Sequence, residues 1–135
     1  MSNSELKKVG LKVTTPRVKI LSLLEGAKSR HFTAEEIYKM LVADQEEIGL
    51  ATVYRVLTQF EAAGLVRRHH FEGGSSVFEL NSGEHHDHLV CIQCGKITEF
   101  VNEQIEEQQS DIAKNAGFVM TDHELNIYGV CAECQ

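Results

Sequence analysis

Gly49-Leu50-Ala51-Thr52-Val53-Tyr54-Arg55-Val56-Leu57-Thr58-Gln59-Phe60-Glu61-Ala62-Ala63-Gly64 is the stretch whose reading decides the fold. Val53, Val56, Leu57 and Phe60 stand at i, i+3, i+4 and i+7, a spacing that gathers apolar side chains into one stripe of an α-helix. The pattern predicts a helix from about Ala51 to Ala63, stopped by Gly64. At about 100° per residue, Thr52, Arg55 and Gln59 fall on the opposite face, flanked by Tyr54 and Thr58. A polar face of this kind, with Arg and Tyr but no acid, suits the base edges and phosphates of a major groove. The alternative is an ordinary solvated face.

The flanking sequence supplies the rest of a fold. Upstream, Ser4 to Val9 reads as a short opening helix. Thr15-Pro16 reads as a helix cap followed by proline at the first helical position, with Val18, Leu21 and Leu24 behind it. Thr33-Ala34-Glu35-Glu36 is a capping box opening a helix through Ile37, Met40 and Leu41. Downstream, two β-rich segments, Leu65 to Phe71 and Ser76 to Leu80, flank Gly73-Gly74. Helices followed by a hairpin form the winged helix-turn-helix pattern. Lys12, Arg17, Lys19, Arg67 and Arg68 add positive charge around the polar face and tilt the reading toward nucleic acid.

Charge divides the 135-residue chain. Residues 1–82 carry 11 basic and 10 acidic side chains, net +1, whereas residues 83–135 carry 2 and 10, net −8. An acidic protein can bind nucleic acid only where its positive charge is gathered on one surface, and this split permits that. Asn81-Ser82-Gly83 is a turn-forming cluster at the break. We read two domains, residues 1–80 and 84–135, joined by a hinge at 81–83. Apolar residues at 42% and charged residues at 24% exclude wholesale disorder, no apolar run is long enough for a membrane span, and nothing marks a secretory signal. A cytoplasmic protein is expected, where thiols stay reduced.

The second domain is rich in metal-ligand types. Cys91-x-x-Cys94 and Cys131-x-x-Cys134 have the spacing that lets two knuckles close on one tetrahedral zinc ion; a thioredoxin-like redox pair would normally use one such motif. If Glu84-His85-His86-Asp87-His88 is extended, alternation sends His86 and His88 to one face, His85 and Asp87 to the other. One segment could then feed two metal sites. Glu79 and Glu99 are near in sequence for the first. For the second, His123 and a carboxylate of the helix 102–116 are the candidates. In that helix Ile105, Ile112 and Ala116 form the expected buried stripe, and Glu106 lies beside it while Glu103 and Glu107 lie nearly opposite. Mixed nitrogen and oxygen ligation suits reversible binding of a divalent ion. His69-His70, on the wing, reads as surface. A hydrolase is the alternative of another class, although the order His-His-Asp-His departs from the hydrolase motif His-x-His-x-Asp-His. A metal-storage protein would have no use for the polar helix face.

Gly49 to Leu57, followed by His85-His86-Asp87-His88 and Cys91-x-x-Cys94, resembles the ferric uptake regulator family, and the match runs from Gly10-Leu11-Lys12-Val13-Thr14 to the final Cys131-x-x-Cys134. The resemblance implies an α+β protein with an N-terminal winged helix-turn-helix and a small α/β dimerisation domain. It implies a homodimeric, metal-dependent repressor, not an enzyme, that binds A/T-rich inverted-repeat operators and controls iron uptake and homeostasis. Lys12 would reach a minor groove, and Thr52, Tyr54 and Arg55 would face the bases. By the same resemblance, His31, Glu79, His86, His88 and Glu99 form a regulatory Fe(II) site, where Mn(II) or Zn(II) could substitute. His85, Asp87, Glu106 and His123 form an ancillary site, and Cys91, Cys94, Cys131 and Cys134 hold structural Zn(II). Peroxide-sensing relatives usually carry aspartates at the positions of Glu79 and Glu99, which favours an iron sensor. A zinc- or manganese-responsive regulator is the runner-up within the family.

Overall fold

A computed structural model describes residues 2–27, 31–71, 74, 76–81 and 86–135. The chain divides into two compact units, Met1–Gly83 and Glu84–Gln135.

The first unit runs α1 (Ser2–Lys8), α2 (Thr15–Gly26), α3 (Ala34–Ala43), α4 (Leu50–Ala62), β1 (Val66–His69) and β2 (Val77–Leu80). Its core is built from the periodic apolar positions. Val53, Val56, Leu57 and Phe60 of α4 are all buried, packed with Leu6, Ile20, Leu21, Ile37 and Leu41. Burial of one such side chain stabilises by about 1.5–3 kcal/mol. The capping box forms as read: the Glu36 amide donates to Thr33 Oγ1 at 3.1 Å and the Thr33 amide to Glu36 Oε1 at 2.8 Å. Thr33→Ala removes one of these bonds and should cost about 1 kcal/mol, measured as a lower urea midpoint for this unit. At the other end of α4, the Leu65 amide donates to the Phe60 carbonyl and the Gly64 amide to that of Glu61. This wrap requires a left-handed residue, which Gly64 supplies at φ +80°. One expectation shifts by a residue. The residue capping α2 is Thr14, without a side-chain cap bond, and Pro16 lies inside the first turn, where its missing N–H leaves no bond unmade.

β1 and β2 are antiparallel, with Arg67 opposite Glu79 and His69 opposite Val77. A third segment joins them. Phe32 pairs with Phe78, each amide donating to the other's carbonyl at 3.0 and 2.7 Å. The approach to α3 is therefore a strand-like edge that sets His31 beside Glu79.

The second unit contains β3 (Asp87–Cys91), β4 (Ile97–Phe100), α5 (Glu103–Asn115), β5 (Asn126–Gly129) and a 3-10 turn (Ala132–Cys134). The sheet order is β4-β3-β5, β3 antiparallel to β4 and parallel to β5. Its own core is slight: Val90 and Cys91 are its buried apolar side chains among the described residues. The expected buried stripe of α5 is not buried. Ile112 is 68% exposed and no α5 residue is fully covered. Leu89 and Ile127 on the sheet and Phe118 and Val119 after α5 are exposed as well. The amphipathic pattern is present, but nothing among the described residues of this unit covers it, and apolar exposure on this scale marks an interaction surface. Among the described residues, no helix is long and apolar enough to cross a membrane.

Candidate functional site

Among the described residues, three groups of ligand-type side chains and one exposed helix face make up the candidate sites. Parallel pairing of β3 with β5 sets Cys91 beside Gly129, so the second knuckle arrives next to the first. Gly95, at φ +79°, turns the chain after Cys94, its amide donating to the Cys91 carbonyl. The sulfurs of Cys91 and Cys134 lie 3.9 Å apart, those of Cys94 and Cys131 3.7 Å, and those of Cys131 and Cys134 3.6 Å. These are far from a disulfide bond. They match the edges of about 3.8 Å of a tetrahedron with bonds of about 2.3 Å, the Zn–S distance. The donor set therefore fits zinc. Without a metal, amide donors from Cys131 and Cys94 bring the Cys91 thiol down to about 6, while hydrogen bonding to Cys131 and Cys94 pushes Cys134 up to about 12.

The second group is Asp87, Glu106 and His123, each offering one ligand atom within 4.8 Å of the others. Asp87 opens β3 and is fully buried. Asn102 caps α5 by accepting from the Gln104 and Ile105 amides at 3.0 and 3.2 Å, which places Glu106 in the first turn. His123 Nε2 donates to Glu106 Oε2 at 2.7 Å. Glu103 and Glu107 are exposed, so the choice of Glu106 from helical phase agrees with the geometry. His85, expected in this set, lies outside the described residues.

The five residues of the expected regulatory set fall in both units. In the second unit, His88 pairs across the sheet with Glu99. His86 Nε2 is 3.2 Å from Glu99 Oε2, and the rings of His86 and His88 meet edge-on with centroids 4.9 Å apart. The alternation read from the sequence thus brings His86, His88 and Glu99 together. In the first unit, Glu79 is 1% exposed, with His31 Nε2 3.0 Å from its Oε2. Its other oxygen accepts from His69 Nε2 at 2.6 Å. His69 is thus buried, which corrects its reading as a surface residue; His70, next to it, is exposed. The strand period sends adjacent residues to opposite faces, and β1 turns His69 inward. Buried carboxylate and imidazole donors of this kind suit a divalent ion of borderline hardness.

The polar face of α4 is exposed at Tyr54, Arg55 and Thr58 and half-buried at Thr52 and Gln59. Arg17 bridges it to the chain before α2, donating to Gln59 Oε1 at 3.0 and 3.2 Å and to the Lys12 carbonyl at 2.7 Å. The exposed Lys12 is thereby fixed relative to α4. The Tyr54 hydroxyl donates to Glu35 Oε2 at 2.6 Å, which raises the phenol's pKa and lowers the carboxyl's. Arg67 and Arg68 stand at the start of β1 and are engaged by the protein itself. Arg67 donates to Asn81 Oδ1, and Arg68 donates to Thr58 Oγ1, pairs with Glu61 and lies over the Phe78 ring.

Comparison with known proteins agrees with this architecture. Residues 8–128 match the model of the ferric uptake regulator family. A ferric uptake regulation protein of Legionella pneumophila is 62% identical over 133 residues, covering 98% of each chain. The crystal structure of the Vibrio cholerae ferric uptake regulator superposes with a TM-score of 0.91 at 55% identity, covering 97% of this chain and 100% of that one. A ferric uptake regulator from Francisella tularensis, solved with iron, superposes with a TM-score of 0.88 at 45% identity, covering 93% and 95%. With its winged helix, its four-cysteine cluster and its histidine–carboxylate groups, the chain belongs to the ferric uptake regulator family, a family of metal-responsive transcription regulators.

Proposed function

We propose that the protein is an Fe(II)-responsive homodimeric repressor of iron-uptake and homeostasis genes, acting in the cytoplasm on A/T-rich inverted-repeat operators and catalysing no reaction. Cys91, Cys94, Cys131 and Cys134 hold structural Zn(II). His31, Glu79, His86, His88 and Glu99 hold the regulatory ion, and His85, Asp87, Glu106 and His123 hold an ancillary one. Lys12 enters a minor groove, while Thr52, Tyr54 and Arg55 meet the major groove. Residues 1–80 are the DNA-binding domain, 81–83 the hinge and 84–135 the metal-binding dimerisation domain.

The observation that carries this reading is the buried His31–Glu79 pair. The unit bearing α4 buries His31 against Glu79, while His86, His88 and Glu99, the other residues of the expected set, belong to the other unit. An ion that draws ligands from both domains ties the orientation of the DNA-binding domains to metal occupancy. Its differential affinity for the DNA-competent arrangement shifts the population toward that arrangement, and by reciprocity DNA tightens metal binding. The iron-bound relative from Francisella tularensis supports iron as the ion.

Anoxic fluorescence anisotropy on an A/T-rich inverted-repeat duplex tests this, with zinc-loaded protein and Fe(II), Mn(II) or Zn(II) titrated separately. Tight binding that appears with micromolar Fe(II) or Mn(II) and reverses with a mild chelator is the expected result. A response to trace Zn(II) alone would reassign the protein as a zinc sensor. His31→Ala should flatten the metal dependence while leaving the four-cysteine zinc in place; unchanged metal dependence would refute the coupling.

A further inference from the structure

Adjacent histidines on a strand face opposite ways, and His69-His70 does so. His70 points outward, Nδ1 3.0 Å from Ser76 Oγ. His69 points inward from β1, and the register sets it diagonally across from Glu79 on the same face. Its ring stacks on Phe71, planes 5° apart and centroids 5.6 Å apart. Its Nε2 is 2.6 Å from Glu79 Oε1, and an ionised carboxylate accepts only, so the Nε2–H is the donor. The other oxygen of Glu79 faces His31 Nε2 at 3.0 Å. Each carboxylate oxygen thus has a different imidazole, and one of those imidazoles is locked in place by an aromatic stack.

We propose that His69 is a positioning residue of the regulatory metal site: its Nε2–H holds Glu79 Oε1, so that Oε2 is presented to the ion beside His31. The inference rests on the reading of Glu79 as a ligand. A buried carboxylate free to rotate about its last torsion would have to be ordered by each ion that binds, and could offer either oxygen or both. Held at Oε1, it is ordered beforehand and offers one. His69 sets the orientation of that oxygen without being a ligand itself, the outer-shell role that fixes the geometry of ligands in metal sites generally.

The experiment is a Co(II) titration of the full-length, zinc-loaded dimer, read by visible d–d absorption, in wild type, His69→Phe, His69→Gln and Glu79→Gln. Glu79→Gln identifies the bands of the regulatory site. His69→Phe keeps a flat ring against Phe71 without a donor, and His69→Gln returns an N–H. Losing an outer-shell partner typically weakens metal affinity by about 10–100-fold, so His69→Phe should shift the regulatory titration by that factor and alter its bands. His69→Gln should restore both. A purely structural role for His69 would follow ring packing, with Phe better than Gln; that order overturns the proposal, as does wild-type affinity in His69→Phe. Should the Phe variant not fold, His69→Met, similar in length and without a donor, takes its place. If Glu79→Gln leaves every Co(II) band unchanged, Glu79 is not a ligand, and both readings fall. If only the His69 variants are silent, this inference alone falls.

Discussion

Replacing Cys134 with serine, or stripping zinc with a strong chelator, should unfold the Glu84–Gln135 unit and abolish operator binding. The reason is how little else holds that unit together. Among its described residues, the buried apolar side chains are Val90 and Cys91, and no residue of α5 is fully covered. A unit this small rarely stabilises itself by its core alone. The two knuckles bracket most of it in sequence, so a metal joining them closes nearly the whole chain segment. Structural zinc binding of this kind is folding free energy. Hydrogen exchange should show protection lost across β3, β4 and β5 while the amides of α2 and α4 stay protected. Sedimentation should show the dimer dissociated, because the apolar surface of Leu89 and Ile127 is presented by the same sheet. Persistent protection in β3 and β5 after zinc removal would refute the prediction.

The same site predicts a pH dependence. Zinc takes thiolates, so its binding depresses each thiol's pKa below the metal-free value, and affinity is lost as pH falls. Because the zinc-free unit is expected to be unfolded, its four thiols keep the ordinary value of about 8.5 there, and zinc binding displaces a proton from each thiol that is still protonated. Affinity for zinc should therefore fall increasingly steeply as pH drops below about 8.5. Competition with a chromophoric chelator measures it, and a zinc affinity independent of pH between about 6 and 8 would contradict thiolate ligation.

Arg55→Ala combined with Tyr54→Ala should weaken operator binding on a comparable scale without affecting metal binding or fold. Both side chains leave the exposed face of α4, and the buried stripe Val53, Val56, Leu57 and Phe60 is untouched. A good base contact discriminates by about 1–3 kcal/mol, and a dimer loses each contact twice. Counting the adjacent pair as one good contact per protomer, the expected loss of affinity is roughly 30-fold to 10⁴-fold, concentrated on the specific duplex, with non-specific binding changed far less. Anisotropy with specific and scrambled duplexes, beside thermal melts of the variant, checks this. Equal affinity for the operator in variant and wild type would make α4's polar face a merely solvated one.

Much of the architecture was legible because it is written at short range. The α4 stripe, the Thr33–Glu36 capping box and the stop at Gly64 depend on residues within one or two helical turns, and each formed where read. The alternation that separates Asp87 from His86 and His88 is equally local. The four-cysteine cluster was legible for another reason: two identical spacings leave tetrahedral metal chemistry few alternatives. Positions whose partners lie far along the chain behaved differently. The phase of α5 correctly separated Glu106 from Glu103 and Glu107, yet the same phase led to a buried Ile112 that the chain leaves exposed. Periodicity says which face is apolar; it does not say which molecule covers it.

The sequence alone determined the elements of this protein, the polar face of α4 and the donor chemistry of its candidate metal sites, because helical and strand periods and ligand types are properties of neighbouring residues. The tertiary structure decided the company those residues keep. His31 meets Glu79 because Phe32 pairs with Phe78, across a separation no period spans. Arg17 ties Lys12 to α4 through Gln59, and His69 turns inward to hold Glu79. Each of these depends on which strand or helix comes to lie beside another, and that is set only when the core closes.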